Sequence, residues 1–262
     1  MNNLITVAVN LYNYERFIED CIQSILNQTY DNFELIIVDD CSTDNSYEKA
    51  KKFEQKDDRV KVIGLDKNHG IGYAKNEAIV RSKGEYITTL DADNMMTKKS
   101  LEVRLGAAIK NSVSFVYADA IWFRDMGLKD VYKLKKVPIT EKSPKNGTTR
   151  IHGPTVYNIH SETVLMSRYI YKRYGLYDED LGCKVDREMW LRLFGKKGID
   201  KTRIPAFFVN KCVAYYRWHS QQVTKKRQKE PKFDKKNKEL CEEKYQIRRK
   251  DINKDNTRFL EG

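Results

Sequence analysis

Two aspartates one residue apart, Asp91 and Asp93, close the stretch Tyr86–Asn94, YITTLDADN. Carboxylates at i and i+2 leaving a strand end can share one small volume, where they repel until a divalent cation relieves the repulsion. Hard oxygen ligands suit Mg²⁺ or Mn²⁺, and such ions usually bridge to substrate phosphates. The structural alternative for the same pair is an acidic turn that caps the following helix. Polar groups recur where other apolar runs end: Asn10 and Tyr12 after Ile5–Val9, and Asp40 after Glu34–Val38.

The elements that must position these groups are legible from periodicity. Ile5–Val9, Glu34–Val38, Val60–Gly64 and Tyr86–Leu90 are short apolar runs that read as strands buried on both faces. Between them lie helical patterns over Tyr14–Gln28, Thr43–Gln55, with Ser42 or Thr43 as cap, and Tyr73–Ser82. This alternation predicts an α/β fold with a mostly parallel central sheet flanked by helices, and in such sheets ligands bind at the carboxyl ends of the strands. Gly70-Ile71-Gly72, with Asp91 about twenty residues on, imitates a dinucleotide-binding fingerprint. It follows the third strand, and Lys75 occupies the place of the third glycine, so a nicotinamide or flavin enzyme is set aside.

Bulk properties narrow the class. A chain of 262 residues with 40% hydrophobic content supports one large domain, or a domain with an appendage. No apolar run approaches the roughly 18 residues of a membrane span, and Leu4–Leu11 reads as a first strand, not a signal peptide. The five cysteines are scattered with no C-x-x-C pair, which suggests neither a zinc site nor a disulfide framework, and favours a reducing, cytoplasmic setting. Net charge is +12, and the segment from Gln221 onward holds 14 Lys and Arg against 8 Asp and Glu, half of the excess. Such a balance suits an anionic membrane surface, a phosphorylated substrate or nucleic acid, or simply a solvated lysine-rich surface.

The motifs ITVAVNLYNY, SILNQTYDNFELIIVDDCSTD, NHGIGYAKNEAI and GEYITTLDADN, in that order, closely resemble the GT-A (Rossmann-like) glycosyltransferases of family 2. The resemblance is strong over about Ile5–Ser100 and looser to about Thr224. It implies an inverting hexosyltransferase that moves a sugar from a nucleotide-sugar donor, most often UDP-linked, to a hydroxyl acceptor. That acceptor would be a carbohydrate, a glycolipid or a glycosylated protein. By the same resemblance Asn10, Leu11 and Tyr12 meet the donor base and Asp40 accepts from a base N–H. Lys75 stands where many members have Arg and faces base or phosphate. Asp91 touches the ribose or the metal's water shell, and Asp93 ligates Mn²⁺ or Mg²⁺. Asp186 matches the general base in a segment of the E-D-x-D-hydrophobic-x-x-R type, although Val185 replaces the usual Glu and Glu188 the later Asp. From spacing alone Asp186 could equally cap its helix. In the Arg-x-His of Val213–Thr224, Arg217 would neutralise phosphate and His219 approach the metal or the diphosphate.

The remaining features are less specific. Leu101–Ile109 reads as a helix, Ser114–Asp119 as a strand, and Lys133–Arg150 as a basic mobile loop. His160 is an active-site neighbour or a structural histidine, and Met189, Trp190, Leu193 and Phe194 read as core. The expected organisation is a domain over 1–224, with a nucleotide-sugar half (1–100) and an acceptor half (101–224). A basic, helical tail (225–262) follows, with its helix around Asp234–Lys250. The tail either docks on the body or contacts a membrane peripherally. Nucleic acid is not an expected partner. The rival to catalysis is a nucleotide- or polyanion-binding module that has lost its activity, for which Val185 and Lys75 are the supporting departures.

Overall fold

The computed structural model describes residues 3–124, 159–194, 204–220 and Gln222, with Lys235, Glu239–Cys241, Glu243 and Lys244 of the tail. The predicted basic loop over Lys133–Arg150 lies outside the described residues, as does most of the tail helix. An eight-stranded sheet runs through both halves in the order β3-β2-β1-β4-β7-β6-β8-β5. Its strands are β1 (Ile5–Leu11), β2 (Phe33–Asp39), β3 (Val60–Gly64), β4 (Tyr86–Asp91), β5 (Met95–Met96), β6 (Phe115–Arg124), β7 (Leu165–Ser167) and β8 (Ala206–Trp218). The helices are α1 (Ile18–Leu26), α2 (Ser46–Glu54), α3 (Ile71–Val80), α4 (Ser100–Asn111), α5 (Arg168–Tyr174) and α6 (Val185–Phe194).

The first four strands are parallel, as their apolar pattern predicts. Beyond β4 the sheet is mixed: β7 runs antiparallel to β4 and β6, β6 is parallel to β8, and β5 is antiparallel to β8. The parallel part reverses direction beside β1, because α1 and α2 carry the chain outward to β3 while α3 returns it to β4. Strand ends diverge at such a switch point and leave a crevice. Register sets what lines it: Asn10 pairs with Asp91 and Leu11 with Asp39.

Alternation along β1 explains the two-sided core. Ile5, Val7, Val9 and Leu11 enter one cluster with Ile18, Ile22 and Ile25 of α1. Ala8 faces the other side, against Ala74 and Ala78 of α3. Those small residues let α3 lie close to the sheet. A further cluster joins β6 and β7 to α5 and α6, and the tail's Cys241 is buried in it beside Leu240. Lys244 is ion-paired with Asp180, so this part of the tail docks on the body.

Several element ends differ from expectation for local reasons. The first helix begins at Ile18, because Tyr14–Phe17 form a turn in which the Tyr14 carbonyl accepts from Phe17 and Ile18 N–H. Neither Ser42 nor Thr43 caps α2: its N-cap is Asn45, which makes no side-chain capping bond, and Asp44 Oδ1 just before it accepts from Ser46 N–H at 2.9 Å. Ser42 is occupied elsewhere, donating its hydroxyl to Asp39 Oδ1 at 2.6 Å.

Candidate active site

Strand ends and one helix start enclose a cleft of about 600 Å³. One wall is Asn10, Leu11, Tyr12, Asp40, Asp91 and Asp93, from the ends of β1, β2 and β4. His160, Glu162, Asp186 and Trp190 line the rest of it. The first group is the one the strand pattern placed together, and the structure brings it together at the switch point.

Tyr12 projects a ring that is 42% exposed, which leaves a flat face open to a planar base. Asp40 is buried and accepts from the backbone N–H of His69 at 2.7 Å and of Gly70 at 2.8 Å, one on each carboxylate oxygen. It therefore shapes the Asn68–Gly70 loop and keeps one further lone pair per oxygen for a ligand N–H. Gly70 has φ +94°, a backbone state that a Cβ disfavours, so a glycine suits this turn.

Asp93 is 5% exposed, and its Oδ2 lies 2.9 Å from His219 Nε2. Burial raises its pKa above the ordinary carboxylate value, partly offset by the His219 contact, while Asp91 pushes it further up. The Tyr14 hydroxyl is likewise driven up by burial and then by the charges of Asp93 and Asp91. His219 packs between Phe17, at 4.5 Å between ring centroids, and Tyr14, at 5.8 Å. Asn10 Oδ1 is buried without a hydrogen-bond partner, and Asp91 Oδ1 beside it in the register is buried with the Lys75 ammonium 3.5 Å away. An orphaned oxygen such as that of Asn10 calls for a donor or a cation.

Asp93 and His219, joined by a 2.9 Å hydrogen bond, are a carboxylate and an imidazole of the types that could be offered to a divalent ion. Among the described residues no three His, Cys, Asp or Glu side chains form a ready cage.

Lys75 and Arg217 take different positions from those the sequence suggests, and neither lines the cleft. Lys75 is 1% exposed, with Nζ 3.2 Å from Asp186 Oδ1 and 3.5 Å from Asp91 Oδ1. Burial alone would lower the ammonium's pKa, yet Asp186, Asp91 and Glu162 together hold it above the ordinary value. It bridges Asp91 and Asp186. Arg217 is 2% exposed and sandwiched by the Phe17 and Phe123 rings. Its Nε donates to the Asp93 carbonyl at 2.9 Å, and its terminal nitrogen to Asp20 at 3.1 Å. It is a clamp that fixes the Asp93 backbone, and its charge is met by Asp20.

Asp186 sits in the first turn of α6, 30% exposed, and lines the same cleft as Asp93. Lys184, just before the helix, has φ +62°, and the chain turns there to present Asp186. Glu188 does not compete for the cleft, since it is fully buried against Arg192 at 2.8 and 3.0 Å. Arg192 also donates to the carbonyls of Tyr174 and Leu176, which fastens α6 to the segment after α5. Trp190 is both core and wall: its ring packs edge-on to Phe115, and its N–H donates to Ile159.

Glu162 is the site residue the sequence did not disclose. It lies on a 3-10 turn, Ser161–Thr163, and is 3% exposed. Burial, and then Asp91, push its pKa well up, while Lys75 opposes them. An acid that leads directly into the short apolar run Val164-Leu165-Met166 was the available signal. His160 also lines the cleft, its ring against Tyr216, and burial lowers its pKa.

The glycosyl transferase family 2 model matches residues 6–175, about two thirds of the chain. The chain belongs to glycosyl transferase family 2. Among curated relatives, the Escherichia coli UDP-Glc:alpha-D-GlcNAc-diphosphoundecaprenol beta-1,3-glucosyltransferase WfgD is 34% identical over 116 residues, 44% of this chain and 45% of that one. This family-2 chain spans less than half the length of the first curated relatives it matches. Staphylococcus aureus TarS 1-349, crystallised with UDP, aligns with a TM-score of 0.60 at 20% identity, covering 82% of this chain and 61% of that one. The mannosyltransferase PcManGT of Pyrobaculum calidifontis, in complex with GDP-Man and Mn²⁺, aligns at 0.59 and 17% identity, covering 81% and 56%. These likenesses establish the GT-A fold.

Proposed function

We propose that this family-2 chain is an inverting, metal-dependent glycosyltransferase, which moves a hexose from a UDP-sugar to a hydroxyl of a carbohydrate, glycolipid or glycosylated-protein acceptor. The observation that carries the reading is the gathering of Asp91, Asp93 and Asp186 in one cleft, with Asp91 and Asp186 sharing the Lys75 ammonium. UDP is favoured over GDP by the donor in the WfgD name and the ligand in the TarS complex.

Each residue's role follows from its place. Tyr12 flanks the nucleobase, Asn10 and Leu11 border it, and Asp40 accepts a base N–H with its remaining lone pairs. Asp93 and His219 would hold Mn²⁺ or Mg²⁺ with Asp91 beside them. When bound, such an ion supplies positive charge against the departing diphosphate. Asp186 accepts the proton of the acceptor hydroxyl as its oxygen bonds to the anomeric carbon. That attack comes from the face opposite the diphosphate, so the configuration inverts and no covalent enzyme intermediate is needed. Lys75 and Arg217 orient the carboxylates and touch neither donor nor acceptor. Peripheral membrane contact, if made, belongs to tail residues other than the docked Leu240, Cys241 and Lys244, and vesicle sedimentation tests it.

A screen of nucleotide sugars for Mn²⁺-dependent hydrolysis and transfer tests the reading. Turnover that disappears in Asp186→Asn, with nucleotide binding kept, supports it. Metal-independent, salt-sensitive polyanion binding with no turnover would favour the inactive module instead.

A further inference from the structure

We propose that Glu162 is the residue that reads a hydroxyl of the donor sugar. The inference rests on the glycosyltransferase reading and adds to it the group that selects which hexose is carried. The transferred sugar must lie between the diphosphate side of the cleft, at Asp91 and Asp93, and the acceptor side, at Asp186. Glu162 is on the wall of that same space.

Its carboxyl is preorganised to an unusual degree. Oε1 accepts from Asn94 Nδ2 at 2.9 Å. The Asn94 amide cannot be turned round, because its Oδ1 accepts from the Arg217 backbone N–H at 2.9 Å. The turn beneath is anchored by Arg104, which donates to the carbonyls of Glu162 at 3.3 Å and Val164 at 2.9 Å. On the other oxygen, the nearest ionic neighbour is His160 Nδ1 at 3.9 Å, beyond hydrogen-bond distance. A nearly buried carboxyl on the lining of a cleft, with Oε1 fixed by Asn94, is poised to accept a ligand hydroxyl with a remaining lone pair. Asn94 directly follows Asp93, so the hydrogen bond joins Glu162 to the donor wall. That link sets its partner on the donor sugar. A core role alone would be better met by an apolar residue, since a buried carboxyl is costly.

Hydrogen-bonding sites discriminate sharply, because the analogue that lacks or inverts the hydroxyl leaves a buried polar group unpaired. The test compares Mn²⁺-supported affinity for UDP with affinity for the UDP-sugar taken by the wild type, and for its epimers at each ring hydroxyl. Wild type, Glu162→Gln and Glu162→Ala are titrated calorimetrically. The expected result is UDP affinity within about twofold across all three. The wild-type preference for its sugar over one epimer should fall by at least about tenfold in Glu162→Ala, with partial retention in Glu162→Gln. Equal loss of UDP and UDP-sugar binding in both variants would assign Glu162 a structural role and overturn the inference. So would unchanged epimer preference, or an effect confined to the acceptor's KM. A wild type that binds no nucleotide sugar would instead sink the glycosyltransferase reading itself.

Discussion

The two walls of the cleft are built by different means. On the donor side, Asp91 is the last residue of β4 and pairs with Asn10 of β1 in a fixed register. Asp93 follows two residues on and is braced by His219, and by Arg217 at its carbonyl. On the acceptor side, Asp186 rides on the first turn of a helix and is nearly a third exposed, with Lys75 its close ionic partner. Under the proposed function, Asp93 as a metal ligand gains from rigidity, since the ion dictates geometry, and Asp186 as a base that must meet a variable acceptor gains from access. The junction between the walls is α3, which carries Lys75 and whose Asn76 donates to Tyr177 O at 3.0 Å and accepts from Tyr177 N–H at 3.0 Å.

The largest effects should come from separating the walls chemically. Asp186→Asn is expected to lower transfer by about 10²–10⁴-fold, the range for losing a general base, while Mn²⁺-dependent UDP affinity stays close to wild type. Asp93→Asn should do the reverse, abolishing the metal dependence of nucleotide binding. His219→Ala should weaken the metal by about 10–100-fold. If both aspartate variants lose nucleotide affinity equally, the walls are not functionally distinct.

Lys75→Met removes the shared counter-ion and leaves Asp91 and Asp186 without it. A fall in transfer of about 10²-fold is expected from misplacement of reacting groups, with Lys75→Arg closer to wild type. Steady-state kinetics with both variants would show whether one cation couples the walls. Gly72→Ala tests the same junction by packing. Its Cβ would lie 2.7 Å from the Asp178 carbonyl and 3.1 Å from Glu179 Cα, both backbone atoms. A loss of about 1–3 kcal/mol is expected from such overpacking, measured by denaturant unfolding.

The smallest effect is in pH dependence. Burial first, and then Asp91, raise the Glu162 pKa in the folded state. Ionising it above that value therefore costs stability that the unfolded chain does not lose. Glu162→Gln should raise the melting temperature at pH above the folded pKa. The gain should fade as pH falls through that value, and vanish below the unfolded one. A gain that is independent of pH would contradict the assignment.

The convergence of polar residues at the strand ends was legible in the sequence because strand burial is periodic. Once β1, β2 and β4 are recognised as buried and parallel, their terminal Asn10, Asp40 and Asp91 must emerge at one edge. The sites of Lys75 and Arg217 were not legible, because a long basic side chain can reach either a ligand or a buried carboxylate several elements away. Arg217 finds Asp20, 197 residues back in the chain. β5 and β7, of two and three residues, are too short to carry a period, so the mixed part of the sheet was hidden. Glu162 was hidden with it, because its place in the cleft depends on β7 pairing between β4 and β6.

The most direct measurement is a crystal of the protein soaked with Mn²⁺ and UDP, with the manganese located by its anomalous signal. The account predicts a single peak within coordination distance of the Asp93 carboxylate and the diphosphate, with Asp186 across the cleft and free of the metal. Manganese bound to UDP with Asp93 turned away from it, or manganese held by Asp186, would contradict it.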